Sequence, residues 1–278
     1  MTPGTGMDSG VRLDQWLVVQ RHAATRGEAQ AAIMAGLVTV DGRLVDKPGR
    51  RVAPGATVLV RRRGTAYASR GGLKLAHALE VFGIDVRGRV AVDLGASTGG
   101  FTDCLLRAGA SRVYAVDVGH GQLAWGLRTD PRVVVLEGVN ARYLTVEQVG
   151  GRCDLVTADL AFISLRLVWP AIAGLVAAHG SVVALVKPQF EAGRAHVPRG
   201  GVVRDPDVHR EVLSRVLAAS GAAELTAVGV TPSPITGPAG NIEYLVHLRP
   251  GTEAGLSPEA IDASVARAHA GGVTPRRS

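Results

Sequence analysis

The feature that most constrains this chain is an acid and a glycine-rich loop set between a β-rich apolar run and a helix. Val90 to Leu94 is the apolar run, Asp93-Leu94-Gly95-Ala96-Ser97-Thr98-Gly99-Gly100 is the acid and its loop, and Phe101 to Arg107 continues as a helix ended near Gly109. Further short β-rich runs follow at Val113–Val118, Val133–Leu136, Leu155–Ala158, Val182–Val186 and Leu225–Val230. Buried strands alternating with helices imply an α/β fold with a parallel, doubly wound, Rossmann-like sheet. Ligands of such sheets sit at the carboxyl ends of the strands, near the point where strand order reverses.

The loop lies at that point. Its glycines let backbone approach a ligand, and the helix behind it offers unpaired N–H groups. The spacing is G-x-x-x-G-G, not the G-x-G-x-x-G of dinucleotide folds, and no Walker-type lysine follows. A second acid, Asp117, ends the next strand, where a carboxylate can accept both ribose hydroxyls of a nucleoside. Without a pyrophosphate cradle, the expected ligand is a nucleoside lacking phosphates, S-adenosylmethionine. Asp93 is then expected to face its ammonium or sulfonium end.

Charge divides the chain. Residues 1–70 hold 11 Lys/Arg against 5 Asp/Glu, while residues 71–278 hold 20 against 19. A small basic region attached to a neutral body suggests a polyanion-binding module beside a separate functional domain. Within the basic region, Val11 to Val19 has Leu13, Trp16 and Leu17 on one helical face, and Thr25 with Glu28 makes a capping box for a second helix stopped by Gly36. Val38–Val40 and Arg43–Val45 flank Asp41-Gly42, a hairpin signal, and Thr57–Val60 forms another strand. The stretches "RLDQWLV", "TRGEAQAAIMAGLVTVDGRLVDKPGRRVAPG" and "TVLV" resemble the alpha-L RNA-binding motif shared by a ribosomal small-subunit protein and many pseudouridine synthases. The resemblance covers residues 11–61 and implies RNA contacts at Arg12, Arg21, Arg26, Lys47, Arg50 and Arg51. Such residues supply counterion-release affinity with little base readout.

Lysine usage points to the chemistry. Among 31 basic residues only Lys47, Lys74 and Lys187 are lysines. Arginine serves for general positive charge, whereas a group that must lose its proton has to be lysine. Lys187 ends the Val182–Val186 strand, Asp159 ends the Leu155–Ala158 strand, Lys74 begins a helix after Gly71-Gly72, and Glu243 starts the last strand in "NIEYLVHL".

This set looks like the Lys-Asp-Lys-Glu tetrad of the FtsJ-like RNA 2′-O-methyltransferases. With the N-terminal module, the chain resembles the TlyA family of rRNA methyltransferases, historically labelled haemolysins, over residues 11 to 265. The supporting stretches are "SRGGLKLAHAL", "DLGASTGGFTDCLL", "ADLAFISL", "ALVKPQFE" and "GNIEYL". The stretch "GTAYAS" departs from the family in lacking a tryptophan.

The resemblance implies S-adenosylmethionine-dependent methylation of cytidine 2′-hydroxyls in rRNA or ribosomal subunits. The C-terminal "LSPEAIDASVARAHA" is similar to members acting on both subunits. Catalytic candidates are Lys74, Asp159, Lys187 and Glu243. Cofactor candidates are Asp93, Gly95, Ser97, Thr98, Gly99, Gly100, Phe101, Asp117 and Asp159. Lys187 is the expected general base, with neighbouring Lys74 and partial burial favouring its neutral amine. Asp159 orients it, Glu243 helps hold Lys74 and the ribose, and no metal is expected.

The expected organisation is a disordered start over 1–10, the RNA-binding domain over 11–61, a linker over 62–72, the methyltransferase domain over 73–265 and a disordered tail over 266–278. Leu167 to Val186 carries no charged residue, the length of a membrane span, but Pro170 and His179-Gly180-Ser181 interrupt it. It reads as a buried helix, a turn and a buried strand. With no apolar signal region at the N-terminus, a cytoplasmic protein without a membrane partner is expected. Cys104 and Cys153 are expected to be free thiols. A ribosome-associated RNA-binding factor with a vestigial cofactor site is the alternative.

Overall fold

The computed structural model describes residues 10–20, 22–23, 25–34, 37–60, 67–251 and 255–272. The chain divides into two units, residues 1–66 and 67–278.

The first unit contains β1 (Val11–Arg12), α1 (Leu13–Val19), α2 (Arg26–Met34), β2 (Val38–Val40), β3 (Arg43–Val45), β4 (Arg51–Val52) and β5 (Val58–Val60). Helix α1 begins two residues later than its apolar spacing suggests, because Val11 and Arg12 pair with Val52 and Arg51 of β4. Leu13 and Leu17 of α1 meet Ala29 and Ile33 of α2 over Val38, Val40, Val45 and Val52. The β2–β3 hairpin turns at Asp41 and Gly42, with φ of 51° and 75°. Both are left-handed, as a two-residue turn matched to strand twist requires. Gly36, expected to stop α2, lies outside the described residues.

The second unit contains α3 (Gly71–Val81), β6 (Val90–Leu94), α4 (Gly100–Arg107), β7 (Arg112–Asp117), α5 (Trp125–Arg128), β8 (Val133–Glu137) and β9 (Cys153–Ala158). It continues with α6 (Trp169–Leu175), β10 (Val176–Val186), α7 (Pro188–Glu191), α8 (Pro206–Gly221), β11 (Leu225–Pro232), β12 (Tyr244–Pro250) and α9 (Pro258–Arg267). The sheet order is β11-β12-β10-β9-β6-β7-β8. Strands β10, β9, β6, β7 and β8 are parallel neighbours. The parallel sheet expected from the sequence departs from that pattern at β12, which runs antiparallel to both β10 and β11. Parallel neighbours need a crossover, and the turn-rich residues 233–243 between β11 and β12 supply none.

Alternation along β10 shows why both faces are buried. Val182, Ala184 and Val186 pack with Trp169, Ile172, Leu213 and Val216 of α6 and α8, while Val183 and Leu185 pack with Leu75, Phe101 and Leu105 of α3 and α4. His179-Gly180-Ser181 is an irregularity inside β10 rather than a turn before it. Val176 pairs with Cys153, and pairing resumes with Ser181 opposite Leu155. Cys104 and Cys153 are buried and free.

The described parts of the segments read as linker and tail, residues 67–72 and 266–272, are structured, and residues 273–278 lie outside the described residues. Residues 67–72 belong to the second unit, where the Ala68 N–H donates to Asp103 Oδ2 at 2.7 Å and α3 already starts at Gly71. Residues 61–66 lie outside the described residues. At the other end a π-helical turn, Ala268–Gly272, continues α9, with Ala268 buried and His269 Nε2 3.2 Å from His209 Nδ1. Among the described residues no helix is long and apolar enough to cross a membrane.

Candidate active site

Strand order reverses between β6 and β9, and the loops leaving their carboxyl ends touch. The Asp159 N–H donates to Leu94 O at 2.9 Å. Gly95 lies so close that a Cβ there would stand 2.5 Å from Asp159 O, and its φ is +84°. No side chain fits that position, which leaves two connected hollows meeting at Gly95, Ser97 and Asp159.

The first hollow, about 250 Å³, brings together Lys74, Asp159, Lys187 and Glu243 with Gly95, Ser97, Thr98, Gly100 and Phe101. Lys74 reaches it because α3 and α4 start almost in contact. A Cβ on Gly100 would lie 3.0 Å from Gly72 N, and one on Gly72 would strike the Tyr67 ring at 2.3 Å. Lys187 and Asp159 follow directly on β10 and β9, and Glu243 immediately precedes β12.

These four residues form two ion pairs of different character. Lys74 Nζ donates to Glu243 Oε2 at 2.5 Å, with both side chains almost wholly buried. Lys187 Nζ stands 2.6 Å from Asp159 Oδ1, but no hydrogen bond is aligned to that oxygen. The first pair is a fixed strut. The second stands at the edge of the hollow, with both side chains partly exposed.

The second hollow, about 570 Å³, is lined by Asp117, Val118, Gln122, Asn140, Leu160 and Phe162 among others. Asp117 accepts the Ser97 N–H at Oδ2 (2.8 Å) and the Gly119 N–H at Oδ1 (2.7 Å). A carboxylate has about four acceptor sites, so it retains capacity for hydroxyl donors. Donor set and shape fit S-adenosylmethionine, with an acid and side-chain amides beside an apolar wall and a glycine where backbone must come close. Gln122, Asn140, Leu160 and Phe162 were not singled out from the sequence. Asn140 could have been, because it lies beyond the carboxyl end of β8, on the ligand edge of the sheet.

Two cofactor candidates do not reach either hollow. Asp93 is fully buried beneath the loop, accepting Thr102 Oγ1 at 2.7 Å and Thr157 Oγ1 at 3.1 Å. It braces the loop from below, because its side chain alternates inward from Leu94. Gly99, with φ of +96°, turns toward Leu123 and Leu127, where a Cβ would lie 2.2 Å from Leu127 Cδ1. It is a packing glycine.

Burial pushes the Asp93 carboxyl up to about 7, against the two threonine hydrogen bonds. An unfolded aspartate loses its proton near a pH of about 4, so stability should fall as pH rises from there to the folded value and level off above it. Asp93→Asn is expected to flatten that slope. Chemical denaturation at about pH 5 and about pH 8 measures it, and an unchanged slope would contradict the assignment.

In the first unit, Arg12 and Arg26 converge on one buried carboxylate. Arg12 Nε and Nη2 donate to Asp14 at 3.1 Å each, and Arg26 Nε and Gln30 Nε2 donate at 3.0 Å each. Hydrogen bonding from Arg12 holds the Asp14 carboxyl far below the ordinary range despite burial. Both guanidinium groups remain half exposed. Lys47 and Arg50 are exposed on the adjoining turn, whose Gly49 lies beside the Arg12 guanidinium. Arg51 Nη1 donates to Gly10 O at 2.8 Å, and Arg21 lies outside the described residues. Asp14, missed in the sequence, organises two of the predicted contacts. Among the described residues no cluster of three or more metal-ligating side chains is found.

Comparison with known proteins follows this division. The FtsJ-like methyltransferase family model matches residues 67–250, and the S4 domain model matches residues 11–58. The protein named 16S/23S rRNA (cytidine-2′-O)-methyltransferase TlyA of Mycobacterium tuberculosis is 48% identical, covering 92% of this chain and 96% of its own. The protein named 23S rRNA (cytidine-2′-O)-methyltransferase TlyA of Campylobacter jejuni is 33% identical, covering 65% of this chain and 70% of its own. A solved structure described as a candidate hemolysin from Streptococcus thermophilus is 42% identical. It covers 94% of this chain and 96% of its own, with a TM-score of 0.73.

Proposed function

The chain belongs to the FtsJ-like methyltransferase family, and on that premise we propose that it methylates cytidine 2′-hydroxyls in the rRNA of both ribosomal subunits, using S-adenosylmethionine. The observation that carries the reading is the convergence of two lysine–carboxylate pairs on one hollow beside a nucleoside-sized one.

When bound, S-adenosylmethionine supplies a methyl group already activated on a sulfonium. The chain's task is to place a ribose hydroxyl in line with it and to take away the proton. Asp117 and Asn140 hold the nucleoside end, and Gly95 lets it lie against backbone. Lys187 is the general base and accepts the 2′-hydroxyl proton on Nζ. Asp159, 2.6 Å away, keeps the amine aimed and stabilises the ammonium that results. Lys74, locked on Glu243, faces the ribose oxygens.

The first unit supplies the grip on RNA, through Arg12, Arg26, Lys47 and Arg50 on one face, with Arg21 and Arg51 nearby in sequence. These bind phosphate rather than bases, so choice of nucleotide rests with RNA shape and the hollow. The reaction takes place in the cytoplasm, where ribosomal subunits are.

The assignment to both subunits follows the name of a relative at 48% identity that matches 92% of this chain. Purified protein is expected to transfer labelled methyl to unmodified small and large subunits alike. Label confined to one of them would contradict the two-subunit assignment.

A further inference from the structure

The Asp159–Lys187 contact is made by two loops that have no sheet pairing beyond the strand ends. Something else has to hold them in register. Four residues after Lys187, at the end of α7, Glu191 is buried with 4% exposure, a costly place for a carboxylate unless it is fully used. It reaches back across the same gap. Glu191 Oε2 accepts Ser164 Oγ at 2.6 Å, and Oε1 accepts the Leu165 N–H at 2.7 Å. The Glu191 carbonyl accepts Arg215 Nη2 of α8 at 2.7 Å, so the anchor is itself held.

The two loops are therefore tied twice, in opposite senses. The acid on the β9 side takes the lysine on the β10 side, and the acid on the β10 side takes a hydroxyl and an N–H on the β9 side. Between the ties the chain arches outward. Phe162 stands at the crest, with φ of +63° and 92% exposure, against the Phe190 ring at 5.1 Å. A left-handed phenylalanine is uncommon and costs energy, so its neighbours must impose it. Glu191 is the group positioned to do so.

We propose that Glu191 is a positioning residue for methyl transfer, fixing the span from Asp159 to Leu165 so that Asp159 stays against Lys187. The proposal rests on Lys187 being the base. Glu191 touches neither hollow and is not a catalytic residue. It acts only by holding the ends of an arch.

The test compares Glu191→Ala and Glu191→Gln with the wild-type chain. Turnover on unmodified ribosomal subunits, KM for S-adenosylmethionine, and backbone hydrogen exchange over residues 160–167 are measured on protein shown to be folded. Glu191→Ala is expected to lose at least about tenfold in kcat, since misplacement by about 1 Å costs about 10²-fold. Its KM should stay within about threefold of wild type, the signature of lost alignment rather than lost binding. Exchange over 160–167 should rise. Glu191→Gln should restore most of kcat, because an amide can accept from the Leu165 N–H and donate to Ser164 Oγ.

A kcat for folded Glu191→Ala within about twofold of wild type would overturn the proposal, as would a Gln variant no better than Ala. If Ala fails to fold, the Gln comparison alone decides. No transfer by the wild-type chain would instead overturn the methyltransferase reading. In that event, unchanged exchange over 160–167 in Glu191→Ala would overturn the clamp as well.

Discussion

Lys187→Ala is expected to reduce methyl transfer by about 10²–10⁴-fold, the range a positioned general base contributes, while leaving the fold and S-adenosylmethionine binding in place. The side chain sits at the mouth of β10, with one ion contact to Asp159 and the face of Phe190 at 5.8 Å. Its removal opens space at the edge of a hollow and uncovers Asp159 Oδ1, on a side chain that already reaches solvent. Lys187→Arg keeps the charge and the reach to Asp159. A guanidinium cannot give up its proton at any working pH, so turnover should fall nearly as far. Single-turnover methyl transfer, with calorimetric titration of S-adenosylmethionine alongside, measures both halves. An arginine variant with near wild-type turnover would show that charge, not proton removal, is the contribution.

The Lys74–Glu243 pair should behave differently, because it is inside the protein. Substituting one partner leaves the other charge buried and unpaired, which costs about 3–5 kcal/mol of stability. Glu243→Gln and Lys74→Met should each destabilise the chain on that scale and abolish transfer. The double substitution, having no orphaned charge, should recover much of the stability and none of the turnover. Chemical denaturation of the four proteins gives the coupling energy. Additive losses within about 0.5 kcal/mol would contradict a buried pair. The contrast with Lys187 separates a strut from a base, although both are lysines beside carboxylates.

The sequence carried the sheet and its ligand edge because both follow from local patterning. The β-rich runs, with the last strand in "NIEYLVHL", correspond to all seven strands of the large sheet, although β10 starts well before its run at Val182, and the Asp93–Gly100 loop lies where strand order reverses. Lys74, Asp159, Lys187 and Glu243 stand out in the sequence as candidates by their places at strand and helix ends, and the structure lines one hollow with all four. What failed was direction. Asp93 lies one residue from the ligand edge, yet strand alternation points it into the protein, toward Thr102 and Thr157. Gly99 sits among ligand-facing residues but turns to Leu127.

Partners distant in sequence were also invisible. Asp14 reads as an ordinary first-turn acid, and only folding brings Arg26 and Gln30 onto it. Glu191 follows an aromatic in a short polar run, with no sign that Ser164 and Leu165 will close on it. The sense of β12 was not legible either, because it depends on whether residues 233–243 cross over or fold straight back.

The central claim is that this site methylates a ribose hydroxyl, and product chemistry tests it most directly. Unmodified ribosomal subunits incubated with the protein and labelled S-adenosylmethionine are digested to nucleosides, which are separated and weighed by mass spectrometry. The account predicts label in 2′-O-methylcytidine, with the methyl on the sugar fragment, and none when Lys187→Ala replaces the wild-type chain. Label on a base fragment, or equal ribose methylation by the Lys187→Ala variant, would contradict it.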